Sequence, residues 1–282
     1  MKEIFKKFLI KILRVESKLV LWKYKPRIIA ITGSVGKTST KDAIFAVISK
    51  FSYVRKSDKS YNSEIGLPLT VLGCPNAWNN PLLWIRNILK GFWIFVWPHK
   101  YPKWLVLEVG VGKPGDMEQT ASWLLSDVVV ITTIGETPVH IEFFDSRKHL
   151  IEEKSGLIKT LKKDGTLILN QDDEAVLEMK NKTKCKVLTY GFGEGSDIKA
   201  SEENILYGEE GVPVGLSYKA DIEGSNLPVM MEGVFGRNYI YASLGALAVS
   251  YVLKNNLLES IDRLKNYTSA KGRMRLIEGK NN

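Results

Sequence analysis

The sequence predicts an α/β fold: a mostly parallel sheet of P-loop type flanked by helices, with a small antiparallel β extension. Three observations carry this. Short runs rich in Val, Ile and Leu alternate with helix-length segments from residue 27 to about 191, as strands buried on both faces of a parallel sheet do. The first run leads straight into Gly33-Ser34-Val35-Gly36-Lys37-Thr38. Beyond residue 196 the segments become short, Gly- and Pro-punctuated and weakly alternating, which is an antiparallel signature.

Taken in order, residues 1–26 read as a basic amphipathic helix. Ile4, Phe5, Phe8, Leu9, Ile12 and Leu13 recur at helical spacing, with Lys2, Lys6, Lys7, Lys11 and Arg14 between them. Lysines interrupt every apolar run and no small-residue cleavage site follows, so this is no signal peptide. Strands are expected at 27–32, 104–109, 127–133, 166–170 and 186–190, and helices near 38–50, 117–125, 146–163 and 172–181. The antiparallel extension is expected over 197–234, followed by helices at about 238–254 and 257–265. Residues 269–282 read as a linker and the start of a further domain, which leaves 27–268 as the central domain.

The segment 81–103 contains Trp84, Trp93 and Trp97 with Arg86, Lys90, Lys100 and Lys103, and no acidic residue. Its apolar run is interrupted by Arg86, Asn87 and Lys90, too short and too polar to span a bilayer. Such a helix either sits at a lipid interface or covers a hydrophobic groove.

Composition narrows the classes. Of the 282 residues, 44% are hydrophobic and 25% charged, enough to bury a real core. Two cysteines, Cys74 and Cys185, exclude a disulfide framework or a four-cysteine zinc site and fit a reduced, cytoplasmic setting. The formal charge is +9, but residues 1–27 alone hold nine Lys/Arg against two Glu, and the remainder holds 31 basic and 29 acidic side chains. Without a global basic field, no nucleic acid is expected as partner. The charge is an N-terminal feature, and two readings of that helix stay open: packing on the following domain, or peripheral contact with an anionic membrane at its inner face.

The strongest chemical signal is the strand, glycine loop and helix at 28–40. Gly33 and Gly36 let the N–H groups of Ser34, Val35 and their neighbours approach phosphate oxygens, and the helix N-terminus adds its partial positive charge. Lys37 can reach terminal phosphates, the Thr38 hydroxyl can bind magnesium, and Ser39 completes the turn. Ile31 stands where the longer Walker spacing has a glycine, so this is the shorter Gly-x-x-Gly-Lys-Thr form.

That shorter form resembles the Mur ligase family, and the likeness continues along nearly the whole chain. Asn62-Ser63-Glu64-Ile65-Gly66-Leu67-Pro68-Leu69-Thr70 is similar to the family's Asn-Asn-x-Ile-Gly-x-Pro-Leu-Thr segment, with Ser63 in place of its second Asn. Leu107-Glu108-Val109-Gly110 resembles the strand end whose glutamate binds magnesium. Thr133-Ile134-Gly135, followed by His140-Ile141-Glu142, resembles the segment with a metal-binding histidine. Glu153-Lys154-Ser155 stands where the family has a carbamylated lysine, Asn170-Gln171-Asp172-Asp173 matches its Asn-x-Asp-Asp, and Gly272-Arg273-Met274 resembles the start of its C-terminal domain.

The resemblance implies an ATP-dependent ligase that joins a carboxylate to an amine through an acyl phosphate, in cell-wall precursor synthesis. It leans toward the branch that adds D-alanyl-D-alanine to a UDP-muramoyl peptide. The implied substrates are a UDP-linked peptide precursor and a dipeptide or amino acid. The implied cofactors are ATP and Mg2+: Thr38 and Glu108 at one ion, His140 and the Lys154 carbamate at a second, with Lys37 on the phosphates. Asn238 would meet adenine, although Arg237 and Tyr241 replace the family's usual His and second Asn there. Two other readings stand beside it. One is a folylpolyglutamate-synthase-like ligase, disfavoured by the 62–70 segment; the other is a catalytically incomplete ATP-binding module at the membrane.

Overall fold

Four consecutive buried residues, Ile28, Ile29, Ala30 and Ile31, make β1 (Arg27–Thr32) the hydrophobic centre of the sheet. The structure is a computed structural model and describes residues 2–58, 61–137, 141–209, 211–265 and 267. His140 and the segment 269–282, with Gly272-Arg273-Met274, lie outside the described residues.

β1 pairs in parallel with β3 (Trp104–Glu108) on one side and β4 (Ser126–Ile131) on the other. β2 (Val54–Lys56) closes one edge beside β3, while β5 (Leu161–Asn170) and β6 (Lys186–Gly191) continue from β4. The parallel order passes to β7 (Ile198–Tyr207), and then β8 (Pro213–Ile222) and β9 (Ser225–Glu232) add antiparallel strands at the far edge. This is the expected mostly parallel sheet with an antiparallel extension. β5 begins five residues before the apolar run at 166, because its polar start, Lys162-Lys163-Asp164, follows a short 3-10 turn rather than the helix expected to 163.

Alternate residues of β1 face opposite layers. Ile29 and Ile31 pack with α2 (Lys37–Ile48) and α8 (Arg237–Val252), and α9 (Leu257–Lys265) packs beside them. Ile28 and Ala30 face α1 (Lys2–Tyr24), α3 (Gly66–Leu72) and α4 (Pro81–Val96). Shorter helices, α5 (Asp116–Ala121), α6 (Arg147–Ser155) and α7 (Glu174–Leu177), follow β3, β4 and β5.

α1 carries three stripes. Leu9, Leu13, Glu16, Ser17 and Val20 are buried against α3 and α4, so the helix packs on the following domain. Phe8, Val15, Leu19 and Trp22 are exposed, and Lys7, Lys11, Arg14 and Lys18 share a third face at helical spacing. Lys23 Nζ donates to the carbonyls of Ile94, Phe95 and Trp97 at 3.2, 2.6 and 3.0 Å, satisfying the open C-terminal turn of α4. α4 starts on Asn80, whose side chain accepts from Leu83 N–H, with Pro81 at the first helical position. It buries Trp84, Asn87, Gly91 and Ile94 and leaves Leu82, Ile85, Leu89, Phe92, Trp93 and Val96 exposed. Among the described residues no helix is long and apolar enough to cross a membrane.

At the α1–α4 contact Gly91 makes room for the Glu16 carboxyl: a Cβ there would lie 2.3 Å from Glu16 Oε2. That oxygen has no hydrogen-bond partner among the described residues. Burial pushes the Glu16 pKa from the ordinary 4.5 up to about 7. The folded chain therefore keeps a proton that the unfolded chain releases near pH 4.5. Stability falls as pH climbs from there to about 7, and the deficit persists above it. Glu16→Gln is expected to raise the melting temperature at pH 8 by about 2–4 °C and to change it little at pH 5. Equal shifts at both values would show that Glu16 is not buried as an acid.

Candidate active site

The loop between β1 and α2 is shaped by two glycines. Gly33 has φ 143° and Gly36 φ 85°. A Cβ on Gly33 would fall 2.0 Å from Thr132 Oγ1, so no side chain fits there. The N–H groups of Ser34 and Val35 donate to the Thr133 carbonyl at 2.8 and 3.0 Å, tying the loop to the end of β4. α2 starts at Lys37, one residue before the expected Thr38, and buries Thr38 and Ser39 at its first turn.

Two lysines converge on one carbonyl. Lys37 Nζ donates to the oxygens of Gly33 at 2.8 Å and Ser34 at 3.1 Å. Lys154 Nζ, from the last turn of α6, donates to the same Gly33 oxygen at 3.0 Å. Lys154 is only 1% exposed, which rules out the solvated helix face that Glu152-Glu153-Lys154 suggests in isolation. Burial, and then the neighbouring Lys37 cation, lower its pKa to about 7, with Glu153 opposing. Glu153 also anchors the helix, since its carboxylate accepts from Gly115 N–H at 3.1 Å and Met117 N–H at 2.7 Å at the start of α5. Ser146 caps α6 at the other end by accepting from His149 N–H.

Glu108, at the end of β3, is 1% exposed. Thr38 donates to its Oε2 at 3.0 Å, Asn62 Nδ2 to its Oε1 at 3.3 Å, and Lys41 Nζ lies 3.6 Å from Oε2. Lys41 also faces Asp42 at 3.7 Å. A hydroxyl and a carboxylate side by side are hard oxygen donors that suit magnesium. Among the described residues no cluster of three or more His, Cys, Asp or Glu forms a metal site, and His140 is not among them.

The motifs read separately along the chain meet in space. Asn170 Nδ2 donates to Thr133 Oγ1 at 2.9 Å, and Asp173 accepts from Ile134 and Gly135 N–H at 2.7 and 2.9 Å. Asp172 accepts from the N–H groups of Phe192 and Gly193, both at 2.7 Å, and from Tyr241 Oη at 2.8 Å. Phe192 meets Tyr241 edge-on at 5.3 Å, and the Arg237 guanidinium lies 4.9 Å above the Phe192 ring. Asn238 is exposed beside them on the first turn of α8. The replacements at Arg237 and Tyr241 thus build an aromatic and hydrogen-bonded platform of their own.

A cavity of about 450 Å³ opens beside the loop, lined among others by Lys37, Lys154, Asn62, Lys113, Trp123 and Arg14 of α1. Sequence reasoning missed Lys41, Phe192 and the contribution of α1, and marked Asn62 as part of a motif without its bond to Glu108. Lys41 was within reach, since it sits one turn from Thr38 on the same helix face.

Residues 92–250 match the Mur ligase middle domain. The chain is 33% identical over 195 residues to the UDP-N-acetylmuramoyl-tripeptide--D-alanyl-D-alanine ligase of Bacillus subtilis, covering 69% of this chain and 36% of that protein. The enzyme of the same name from Rickettsia prowazekii is 26% identical over 268 residues, covering 94% and 53%. Among solved structures, the Thermotoga maritima MurF ligase in complex with ADP superposes with a TM-score of 0.77 at 23% identity, covering 96% of this chain and 55% of that one. Acinetobacter baumannii MurF gives 0.76 at 21%, covering 95% and 53%. The chain therefore spans about a third to a half of the length of these curated relatives. With more than half its residues matching the middle domain, and Lys37, Asn62 and the buried Lys154 lining one cavity, the chain belongs to the Mur ligase family.

Proposed function

We propose that this chain carries the ATP-binding part of a cytoplasmic, ADP-forming carboxylate–amine ligase of peptidoglycan precursor synthesis, with residues 27–268 as its central domain. The observation that carries it is the meeting of Lys37 and Lys154 at the Gly33 carbonyl beside a cavity able to hold a carboxylate. The B. subtilis relative's name supports a UDP-muramoyl tripeptide as carboxylate substrate and D-alanyl-D-alanine as amine.

In this reading Gly33, Ser34, Val35, Gly36, Lys37, Thr38 and Ser39 hold the ATP phosphates, with the Ser34 and Val35 N–H groups exchanging the Thr133 carbonyl for phosphate oxygens, and Asn238 lies toward adenine. Thr38 and Glu108, hydrogen-bonded at 3.0 Å, would hold Mg2+ through their hard oxygens; bound there, the ion would neutralise phosphate charge. Lys37 leaves the Gly33 carbonyl for the phosphates and compensates the charge that builds as a phosphoryl group passes to the substrate carboxylate. The amine then attacks the acyl carbon, phosphate departs, and the amide remains. A catalytically incomplete ATP-binding module is the other reading; amide formation separates the two.

Carbamylated by carbon dioxide, Lys154 would offer an anionic oxygen, and His140 an imidazole nitrogen, to a second ion. The lowered pKa supports this, because a neutral amine is the form that reacts. Carbamylation gives up the donor bond to Gly33, so the side chain must turn toward the cavity.

The outward face of α4 joins the reading as a peripheral contact with anionic lipid. It presents six large apolar side chains, and residues 81–103 include four cations and no acid. Phe92→Glu is expected to abolish salt-sensitive sedimentation with phosphatidylglycerol vesicles, and unchanged sedimentation removes the membrane from the reading.

Lys37→Ala should lower ATP turnover about 10²–10³-fold with the fold intact by circular dichroism. Turnover at the wild-type rate in the full-length protein would exclude the loop as the phosphate site. Lys154→Ala should lose ligation and regain part of it with acetate, while Lys154→Arg should show no rescue. Carbon-13 bicarbonate should give a carbamate resonance in the wild type that is missing from Lys154→Arg; its persistence would move the modification elsewhere.

A further inference from the structure

Behind the glycine loop, four charged side chains stand in a row. Lys41 Nζ lies 3.6 Å from Glu108 Oε2 and 3.7 Å from Asp42 Oδ1, and Lys56 Nζ meets the same Asp42 oxygen at 2.7 Å. Lys41 is 1% exposed, as deeply buried as Glu108, and exposure rises outward through Asp42 to Lys56. The fold fixes this order. Thr38, Lys41 and Phe45 follow one another at helical spacing on α2. Lys56 comes from β2, which pairs with β3 and so runs beside the strand that ends on Glu108. It rests 4.7 Å from the Phe45 ring.

Both Glu108 oxygens already accept from neutral groups, one from Thr38 and the other from Asn62. Each oxygen therefore has a donor before Lys41 is counted. Burying a lysine carries a desolvation penalty that an ion pair repays only in part. What Lys41 adds is charge. It cancels Glu108, and Lys56 cancels Asp42 beyond it, while Lys37 and Lys154 stand at the Gly33 carbonyl. A dication approaching Thr38 and Glu108 meets no net negative charge among these side chains. Magnesium sheds water reluctantly, and proteins usually hold it with one or two carboxylates together with substrate phosphates. The phosphates of a nucleotide would bring to the loop the negative charge that Lys41 cancels.

We propose that Lys41 makes metal binding at Glu108 conditional on the nucleotide. Before nucleotide arrives, Lys41 holds the carboxylate in place and offsets its charge, so that a divalent cation has little reason to stay. With a triphosphate on the loop, the balance turns negative and the cation is retained. Lys41 is thus a positioning residue that acts through Glu108. By linkage, the same charge makes metal and nucleotide each tighten the binding of the other. This rests on the reading above of Thr38 and Glu108 as ligands of the ion.

The test titrates nucleotide-free protein with manganese(II), which accepts the same oxygen ligands, and follows the loss of the free-ion electron paramagnetic resonance signal. Wild type should bind the ion weakly. Lys41→Gln, which keeps a donor and removes the charge, should bind it about tenfold or more tightly. Lys41→Arg should stay with the wild type, and Lys41→Gln/Glu108→Gln should lose the gain. Lys56→Gln removes a cation one step further out and nearer solvent, and should stay within about threefold of wild type. Folding of each variant is checked by its melting temperature. No gain in folded Lys41→Gln, an equal gain in Lys56→Gln, or a gain that survives Glu108→Gln overturns the proposal. Tight manganese binding by the nucleotide-free wild type overturns it without any variant. Binding of a non-hydrolysable ATP analogue with magnesium is measured alongside. If the analogue fails to bind wild type, the ATP-site reading falls, while the nucleotide-free comparison still decides whether Lys41 governs the ion at Glu108.

Discussion

Taking a glutamate carboxylate out of water costs several kcal/mol unless its oxygens find donors. At the end of β3, Glu108 finds them in Thr38, Asn62 and Lys41. The demand joins three pieces of chain: the first turns of α2, the segment before α3 and the strand itself. Strand register makes this meeting possible. Glu108 pairs with Ile31 of β1, so the carboxylate comes level with the entry to the glycine loop. A slip of one residue would turn it to the opposite face of the sheet. Asn62 is held in turn by close backbone contact, because its carbonyl accepts from Gly110 N–H at 2.9 Å and a Cβ on Gly110 would strike its side chain.

A second constraint operates across the loop. Lys37 and Lys154 share the Gly33 carbonyl, and the Lys37 cation disfavours a charge on Lys154. Whatever draws Lys37 outward leaves Lys154 with less opposing charge, so the protonation of the buried amine is tied to the position of its neighbour.

Much of this was legible in the sequence because the governing signals are local. The apolar run of β1, its glycines and the following helix lie within 22 residues, from Arg27 to Ile48. The Trp-rich segment showed its helical period, and the Gly- and Pro-punctuated stretch after 196 became β7 to β9. Elements governed by distant partners were not legible. β2 has three residues and exists because β3 lies beside it. The polar beginning of β5 pairs Leu161 with Ser126, which no period along the chain announces. The resemblance marked Lys154 as a site residue, but its burial was not legible: it depends on α6 docking on α5 through Glu153. The period of α1 showed a basic amphipathic helix, but which apolar stripe is buried and which is exposed became clear only with the helix seated on α3 and α4. The segment containing His140 lies outside the described residues, and its expected role stays with the proposal.

The two ends of the sheet have a bearing on how molecules of this protein meet. An unpaired strand edge invites backbone addition by another chain, and proteins blunt it with short strands, prolines or charge. Here one edge is β2, three residues long with Arg55 and Lys56 in it. The other is β9, where Pro228 stands opposite Lys219 and has no N–H to offer, and the strand ends on Glu232. Among the described residues, neither edge is a favourable template for a continuing ladder. Self-association by sheet growth is disfavoured at both sides, which shifts any assembly toward side chains on the helical layers, where a single substitution can tune it without disturbing the strands.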